Sequence, residues 1–254
     1  LSIRRQRQMC IRDRTYPPLF DLPDADDPNA AAVLLARAQG SVDKLSPFLT
    51  PLAARFAERG ETLYMVGGPV RDAMLGKLGH DLDFTTSARP EVTQEILSEW
   101  GENTWDAGIE FGTVAAVKHG NQVEITTFRA DLYDGVTRNP EVTFGDTLEG
   151  DLIRRDFACN AMAIELSLND ELRLSPTFHD PVDGLSDLVE QVLDTPQEPE
   201  VSFRDDPLRM LRAARFVSQL GFTVADRVFD AMCDMAGEIE RITAERVQAE
   251  LDLS

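Results

Sequence analysis

At 254 residues, 43% of them hydrophobic, the chain has material for one large or two small cores. Its 25 Lys and Arg against 45 Asp and Glu give a formal charge of −20, which excludes a broad cationic coat for nucleic acid or anionic membrane and leaves only local contact with a polyanion. No apolar run approaches the ~20 residues of a membrane-spanning helix, and Cys10, Cys159 and Cys233 are too dispersed for a disulfide framework or a structural zinc site, so a soluble, cytoplasmic chain with no membrane partner is expected.

The first fourteen residues carry five arginines and one aspartate, with no small-residue cleavage site. They read as a non-native or disordered tail rather than a basic arm for RNA, and residues 1–29 are set apart from the folded chain. Thr15 to Asn29 is rich in Pro and Asp and predicts an extended lead-in. A helix follows, with Leu45, Phe48, Leu49, Leu52 and Phe56 at helical spacing before a stop at Gly60. Thr62–Val66 predicts a strand ending in Gly67-Gly68, Val70–Leu75 a helical turn closed by Gly76, and Asp81–Phe84 a second strand. Residues 90–100 read as a helix, and 111–118 with 121–128 as a hairpin turning at Gly120-Asn121. The short strands interleaved with helices point to an α+β fold, and no GxGxxG follows the first strand, which disfavours a dinucleotide-binding fold. Beyond Phe203 the pattern is helical: a helix through Leu208 and Leu211 to Gly221, then Val224–Ala236 and Ala244–Leu253. The Pro/Glu-rich stretch TPQEPEV marks a boundary near 195–203, giving a first domain over 30–200 and a helical one over 201–254. The last helix has no stop signal, and the expectation is that a larger helical region continues it.

Four blocks carry chemistry. In Gly67-Gly68-Pro69-Val70-Arg71-Asp72, two glycines before a helix let backbone N–H groups approach an anion, and Arg71 returns toward the same place as a fork for phosphate oxygens; a plain tight turn is the bland alternative. Asp81 and Asp83 lie two apart on a strand, so both carboxylates face one way, where a Mg²⁺ ion would relieve their repulsion. Glu124 would add a third carboxylate if its strand lay next to theirs; otherwise it is an outward-facing glutamate. In Arg154-Arg155-Asp156-Phe157-Ala158-Cys159-Asn160, two arginines are expected to open a short helix and to need either Asp151 and Asp156 or a polyphosphate as partner. Asp156 and Asn160, four apart, can orient one another, while Cys159 reads as core. In the last block Asp206 caps a helix with Pro207 at its first position. Arg209, Arg212 and Arg215 form a stripe over Leu208, Leu211 and Phe216, and Asp206 with Arg209 offers an acceptor and a donor fork able to read a nucleobase edge.

These blocks, together with EITTFR, DPVDG at 180–184 and ERITAERVQAEL at 240–251, resemble the class II CCA-adding tRNA nucleotidyltransferases, which share their catalytic head with bacterial poly(A) polymerases; the resemblance spans roughly residues 45–254. It implies a mixed-sheet nucleotidyltransferase head joined to an all-helical neck, acting on tRNA 3′ ends with CTP, ATP and Mg²⁺. By that resemblance Asp81 and Asp83 hold the metal, and Gly68, Arg71, Arg155, Asp206, Arg209, Arg212 and Arg215 bind the nucleotide; the reading of the residues adds Glu124 as a further catalytic candidate, Gly67 at the nucleotide, and Asp72, Asp156 and Asn160 in support. Asp205-Asp206 stands where the family carries Glu-Asp, one methylene shorter at the first position. A poly(A) polymerase using ATP alone and a catalytically silent nucleotide-binding module are the alternatives.

Overall fold

A computed structural model describes residues 20–108, 111–130 and 143–252; the expectations for the arginine-rich first fourteen residues, Cys10 and the first part of the lead-in, residues 15–19, lie outside the described residues. Residues 20–29 form no regular element, and helix α1, Ala30–Glu58, begins directly after them. It is continuous through Pro47 and Pro51. These prolines are four apart and each withholds one N–H, so both missing bonds fall on one side of the helix while the apolar stripe stays in the core.

After α1 come β1 (Leu63–Val66), α2 (Gly68–Met74), β2 (Asp81–Thr86), α3 (Pro90–Trp100) and β3 (Asn103–Asp106). The chain continues through β4 (Thr113–Lys118), β5 (Asn121–Thr127), β6 (Arg129–Ala130), β7 (Thr143–Phe144) and α4 (Leu148–Ile153), then a 3-10 turn at Ala158–Asn160. The sheet is completed by β8 (Ala163–Glu165) and β9 (Thr177–His179). Seven strands lie in the order β3-β4-β5-β2-β1-β8-β9, with β2 and β5 parallel and the other neighbours antiparallel. One face, through Leu63, Met65, Leu82, Phe84, Val123, Ile125 and Ile164, packs on α1, α2 and α3. Part of the other face is covered by Leu152, Ala161 and Phe128 over Tyr64, Val66 and Ala163.

The predicted hairpin forms, but its turn is one residue earlier. Lys118 pairs with Asn121, leaving His119 (φ 50°) and Gly120 (φ 76°) as the two turn residues. Both need positive φ, as a primed turn demands to match the strand twist. The edge strand β3 went unpredicted, because NTWD shows no alternation of apolar and polar residues.

Beyond the sheet lie α5 (Gly184–Glu190), β10 (Val192–Leu193), α6 (Pro199–Asp205), α7 (Leu208–Leu220), β11 (Thr223–Val224), α8 (Asp226–Asp234), a 3-10 stretch Ala236–Arg241 and α9 (Ala244–Asp252). The Pro/Glu-rich stretch is no open linker: Pro199 starts α6, and β10 pairs in parallel with β11 across it. Ala213, Phe216, Leu220 and Phe222 join the same core as the sheet. The second region is therefore helical apart from a two-residue strand, and it is packed onto the first. Among the described residues no helix is long and apolar enough to cross a membrane.

Candidate active site

The parallel pairing of β2 with β5 decides where the carboxylates go. Leu82 and Phe84 enter the core, so alternation sends Asp81 and Asp83 to the opposite face. On β5 the buried residues are Val123 and Ile125, which sends Glu124 to that same face, and the register sets Glu124 directly opposite Asp83. Glu124 accepts a hydrogen bond from Gln122 Nε2 at 3.1 Å. Asp83 touches solvent yet is crowded by protein; that crowding, with the charges of Glu124 and Asp81, pushes its carboxyl up to about 6 against the opposing pull of Arg155. Among the described residues no three His, Cys, Asp or Glu side chains are gathered tightly enough to make a closed metal cage. Asp81, Asp83 and Glu124 instead share one open face of the sheet, where hard carboxylate oxygens could take a Mg²⁺ ion whose remaining positions are filled by phosphate oxygens.

Gly67 and Gly68 begin α2 at the end of β1. Gly67 has φ 73°, a conformation that favours glycine, and a Cβ there would stand 2.9 Å from Arg155 Nη1 and push that guanidinium aside. Arg155 Nη2 donates to Asp151 Oδ2 at 3.2 Å, while its buried Nε has no hydrogen-bond partner in the structure. Arg154 and Arg155 do not open a helix as expected. Thr147 caps α4, Arg154 stands at its C-terminal end, and the chain bends through Asp156 to an extended Phe157 before the 3-10 turn.

Arg71 is 8% exposed; its Nε donates to Asp72 Oδ1 at 2.8 Å and its Nη1 to Asn160 Oδ1 at 2.7 Å. Asn160 Nδ2 donates to Asp156 Oδ1 at 3.1 Å, as the i, i+4 spacing suggested, although through a 3-10 turn rather than an α-helix. Asp156 Oδ2 accepts from Arg212 Nε at 2.8 Å and Nη2 at 2.6 Å. Burial alone would raise the Asp156 carboxyl, but Arg212, Asn160 and the Phe157 N–H together hold it below the usual carboxylate range. Arg215 Nε meets Glu250 Oε1 at 2.5 Å, and Arg212 Nη1 lies 3.8 Å from Glu250 Oε2. The Phe216 ring sits among three guanidinium carbons, those of Arg215, Arg71 and Arg212, at 4.3, 5.2 and 5.5 Å from its centroid. Cys159 is core, its thiol pushed up to about 12 by burial.

Asp206 Oδ1 accepts the Leu208 N–H at 3.2 Å, the expected helix cap, and Oδ2 accepts from Arg246 Nη2 at 3.0 Å. Arg209, its pKa lowered chiefly by burial, donates to Ser202 Oγ at 2.8 Å and the Arg154 carbonyl at 2.7 Å. Asp206 and Arg209 are thus each anchored by other elements. Asp180 accepts the Gly184 and Leu185 N–H groups at 2.8 and 2.9 Å, and a Cβ on Gly184 would fall 2.0 Å from the Ala158 carbonyl oxygen. The DPVDG turn is therefore seated on the Ala158–Asn160 turn.

A family model described as the poly A polymerase head domain matches residues 63–194. The chain belongs to the poly A polymerase head-domain family. A second model, "Probable RNA and SrmB- binding site of polymerase A", matches residues 221–253. Among curated relatives of this head-domain chain, the CCA-adding enzyme of Leuconostoc mesenteroides is 40% identical over 203 residues, covering 80% of this chain and 48% of that one. A crystal structure of the Bacillus stearothermophilus CCA-adding enzyme in complex with CTP is 36% identical with a TM-score of 0.67, covering 81% of this chain and 47% of that one. The Thermotoga maritima CCA-adding enzyme complexed with tRNA is 28% identical with a TM-score of 0.67, covering 88% and 49%. The chain spans about half the length of the curated relatives it matches.

Residues that sequence reasoning missed, or gave no role, lie mainly in partners. Glu250 and Arg246 sit in the ERITAERVQAEL block, but their contacts to Arg215 and Asp206 span 35 and 40 positions. Ser202 carried no signal at all.

Proposed function

We propose that this chain is the catalytic and nucleotide-selecting part of a tRNA nucleotidyltransferase that adds or repairs the 3′-terminal CCA with CTP and ATP. The observation that carries the reading is the in-register pairing of Asp83 with Glu124 beside the Gly67-Gly68 turn and Arg155. The CCA-adding enzymes among its relatives, including those solved with CTP and with tRNA, support it. Asp81 and Asp83 would hold Mg²⁺, and the donor set fits: hard carboxylate oxygens on one face, with Asp83 lifted to about 6 first by desolvation and then by the charges of Glu124 and Asp81. When bound, the metal makes the RNA 3′-hydroxyl more acidic and offsets charge on the triphosphate.

Every other part of the work falls to the chain. The Gly67-Gly68 backbone and Arg155 receive the triphosphate, and Arg71, fixed by Asp72 and Asn160, stands behind them. Asp206 and Arg209 offer an acceptor and donors to the base edge, while Asp156 and Glu250 hold Arg212 and Arg215 at its side. The 3′-oxygen attacks the α-phosphorus in line as the bond to the β-phosphate oxygen breaks; pyrophosphate leaves and the hydroxyl proton is released. No covalent enzyme intermediate is required.

The protein incubated with Mg²⁺, tRNA lacking its terminal CCA, and labelled CTP or ATP separately is expected to incorporate CMP from CTP alone. Uptake of ATP only, on any RNA, would make it a poly(A) polymerase, and nucleotide binding without turnover would make it a silent module.

A further inference from the structure

Arg155 differs from the other arginines around the site. Arg71, Arg212 and Arg215 are flanked by several partners and stacked about Phe216, whereas Arg155 reaches toward Gly67 and Asp83 held by one carboxylate, Asp151. Asp151 is 4% exposed in α4. A carboxylate so enclosed needs compensation for each oxygen. Its Oδ2 accepts from Arg155 Nη2 at 3.2 Å, and its Oδ1 accepts the backbone N–H of Arg129 at 3.2 Å. Arg129 lies five residues beyond Glu124, just past the end of β5, and its own guanidinium donates to the Phe111 carbonyl at 3.0 Å and to Thr113 Oγ1 at 3.2 Å across β4. Asp151 therefore ties the Arg155 fork to the backbone run that carries Glu124, and the missing Cβ of Gly67 gives that fork room.

We propose that Asp151 is a positioning residue that aims Arg155 at the nucleotide's phosphates and fixes its distance from the Asp83–Glu124 pair. The proposal rests on the nucleotide-site reading given above. An arginine has five N–H donors and a long flexible stem, so one buried carboxylate at a fixed bearing determines which donors remain for the ligand. The unpartnered, buried Nε of Arg155 is consistent with a guanidinium whose donor set is incomplete without a ligand.

The test is equilibrium binding of CTP in Mg²⁺ to wild type, Asp151→Asn, Arg155→Ala and the double variant, with the melting temperature of each recorded. The amide keeps an acceptor for the Arg129 N–H and loses the charge that holds Arg155. Asp151→Asn is expected to weaken CTP binding about tenfold and to add nothing in the Arg155→Ala background, because the two residues act as one unit. Asp151→Glu, which retains the charge, is expected to recover part of the loss, a recovery that a purely packing role would not produce. Wild-type affinity in Asp151→Asn, or losses that multiply in the double variant, would overturn the proposal. Should Asp151→Asn melt below the assay temperature, Asp151→Ser, whose hydroxyl can accept from Arg129, repeats the comparison. A wild-type protein that binds neither CTP nor ATP contradicts the nucleotide-site reading itself, an outcome distinct from failure of Asp151 alone.

Discussion

Asp83, in contact with solvent but crowded by neighbouring groups, and Asp156, buried, are treated in opposite ways by the fold. At Asp83, burial and the neighbouring Glu124 and Asp81 outweigh the pull of Arg155, and the carboxyl rises to about 6. At Asp156, one oxygen accepts twice from Arg212, the other from Asn160 and the Phe157 N–H, and the carboxyl falls below its usual range. The first region carries an excess of negative charge that the protein does not neutralise. The second is closed upon itself, with arginines from α2 and α7 and carboxylates from two other segments accounted for. Under the proposed function, a face that receives a cation and a polyphosphate keeps uncompensated charge, whereas the scaffold that holds its arginines spends compensated charge on position.

The contrast can be broken most severely at Asp83. Asp83→Asn is expected to lower nucleotide incorporation by about 10²–10³-fold, while thermal melting stays level or rises, because the substitution removes repulsion. A comparable loss of stability would place Asp83 in the scaffold instead. Asp156→Ala should do the reverse. Leaving Arg212 beside an emptied site is expected to cost about 3–5 kcal/mol in denaturant unfolding. The wild-type contribution is present above the ordinary carboxylate pKa and is lost as pH falls below it, since the folded-state value is depressed. The variant should therefore show a shallower acid slope than wild type.

Gly184→Ala probes how tightly the DPVDG turn is seated. A Cβ placed 2.0 Å from the Ala158 carbonyl oxygen forces one backbone to move, at about 1–3 kcal/mol in unfolding experiments. The smallest effect is expected at Asp187, half-buried and raised to about 7 by burial and the nearby Asp194, Asp183, Glu190 and Asp180. With a raised folded-state value, its favourable contribution is full below the unfolded pKa and is lost as pH rises through about 7. Asp187→Asn should melt about 2–4 °C above wild type at pH 8, and the difference should vanish near pH 4.

Much of the candidate site was legible because its residues are close in sequence. The two-residue period of a strand puts Asp81 and Asp83 on one face, and Gly67-Gly68 announces a turn that a side chain would block. Glu124 could be named but not located, since parallel pairing of β2 with β5 is a long-range choice that no local pattern encodes. The same limit hid the partners of the arginine stripe. Its period was plain, yet Asp156 lies 56 residues before Arg212 and Glu250 lies 35 after Arg215. The Pro/Glu-rich stretch has two local meanings: Pro199 at a first helical position starts α6 as readily as it marks a boundary.

On the proposed function, the carboxylates on the β2–β5 face, and not those of the arginine scaffold, answer to metal and nucleotide. Melting of wild type and Asp83→Asn, each with and without Mg²⁺ and saturating CTP, tests it most directly. A clear upward shift is expected in wild type and none in Asp83→Asn. An equal shift in both proteins would contradict it.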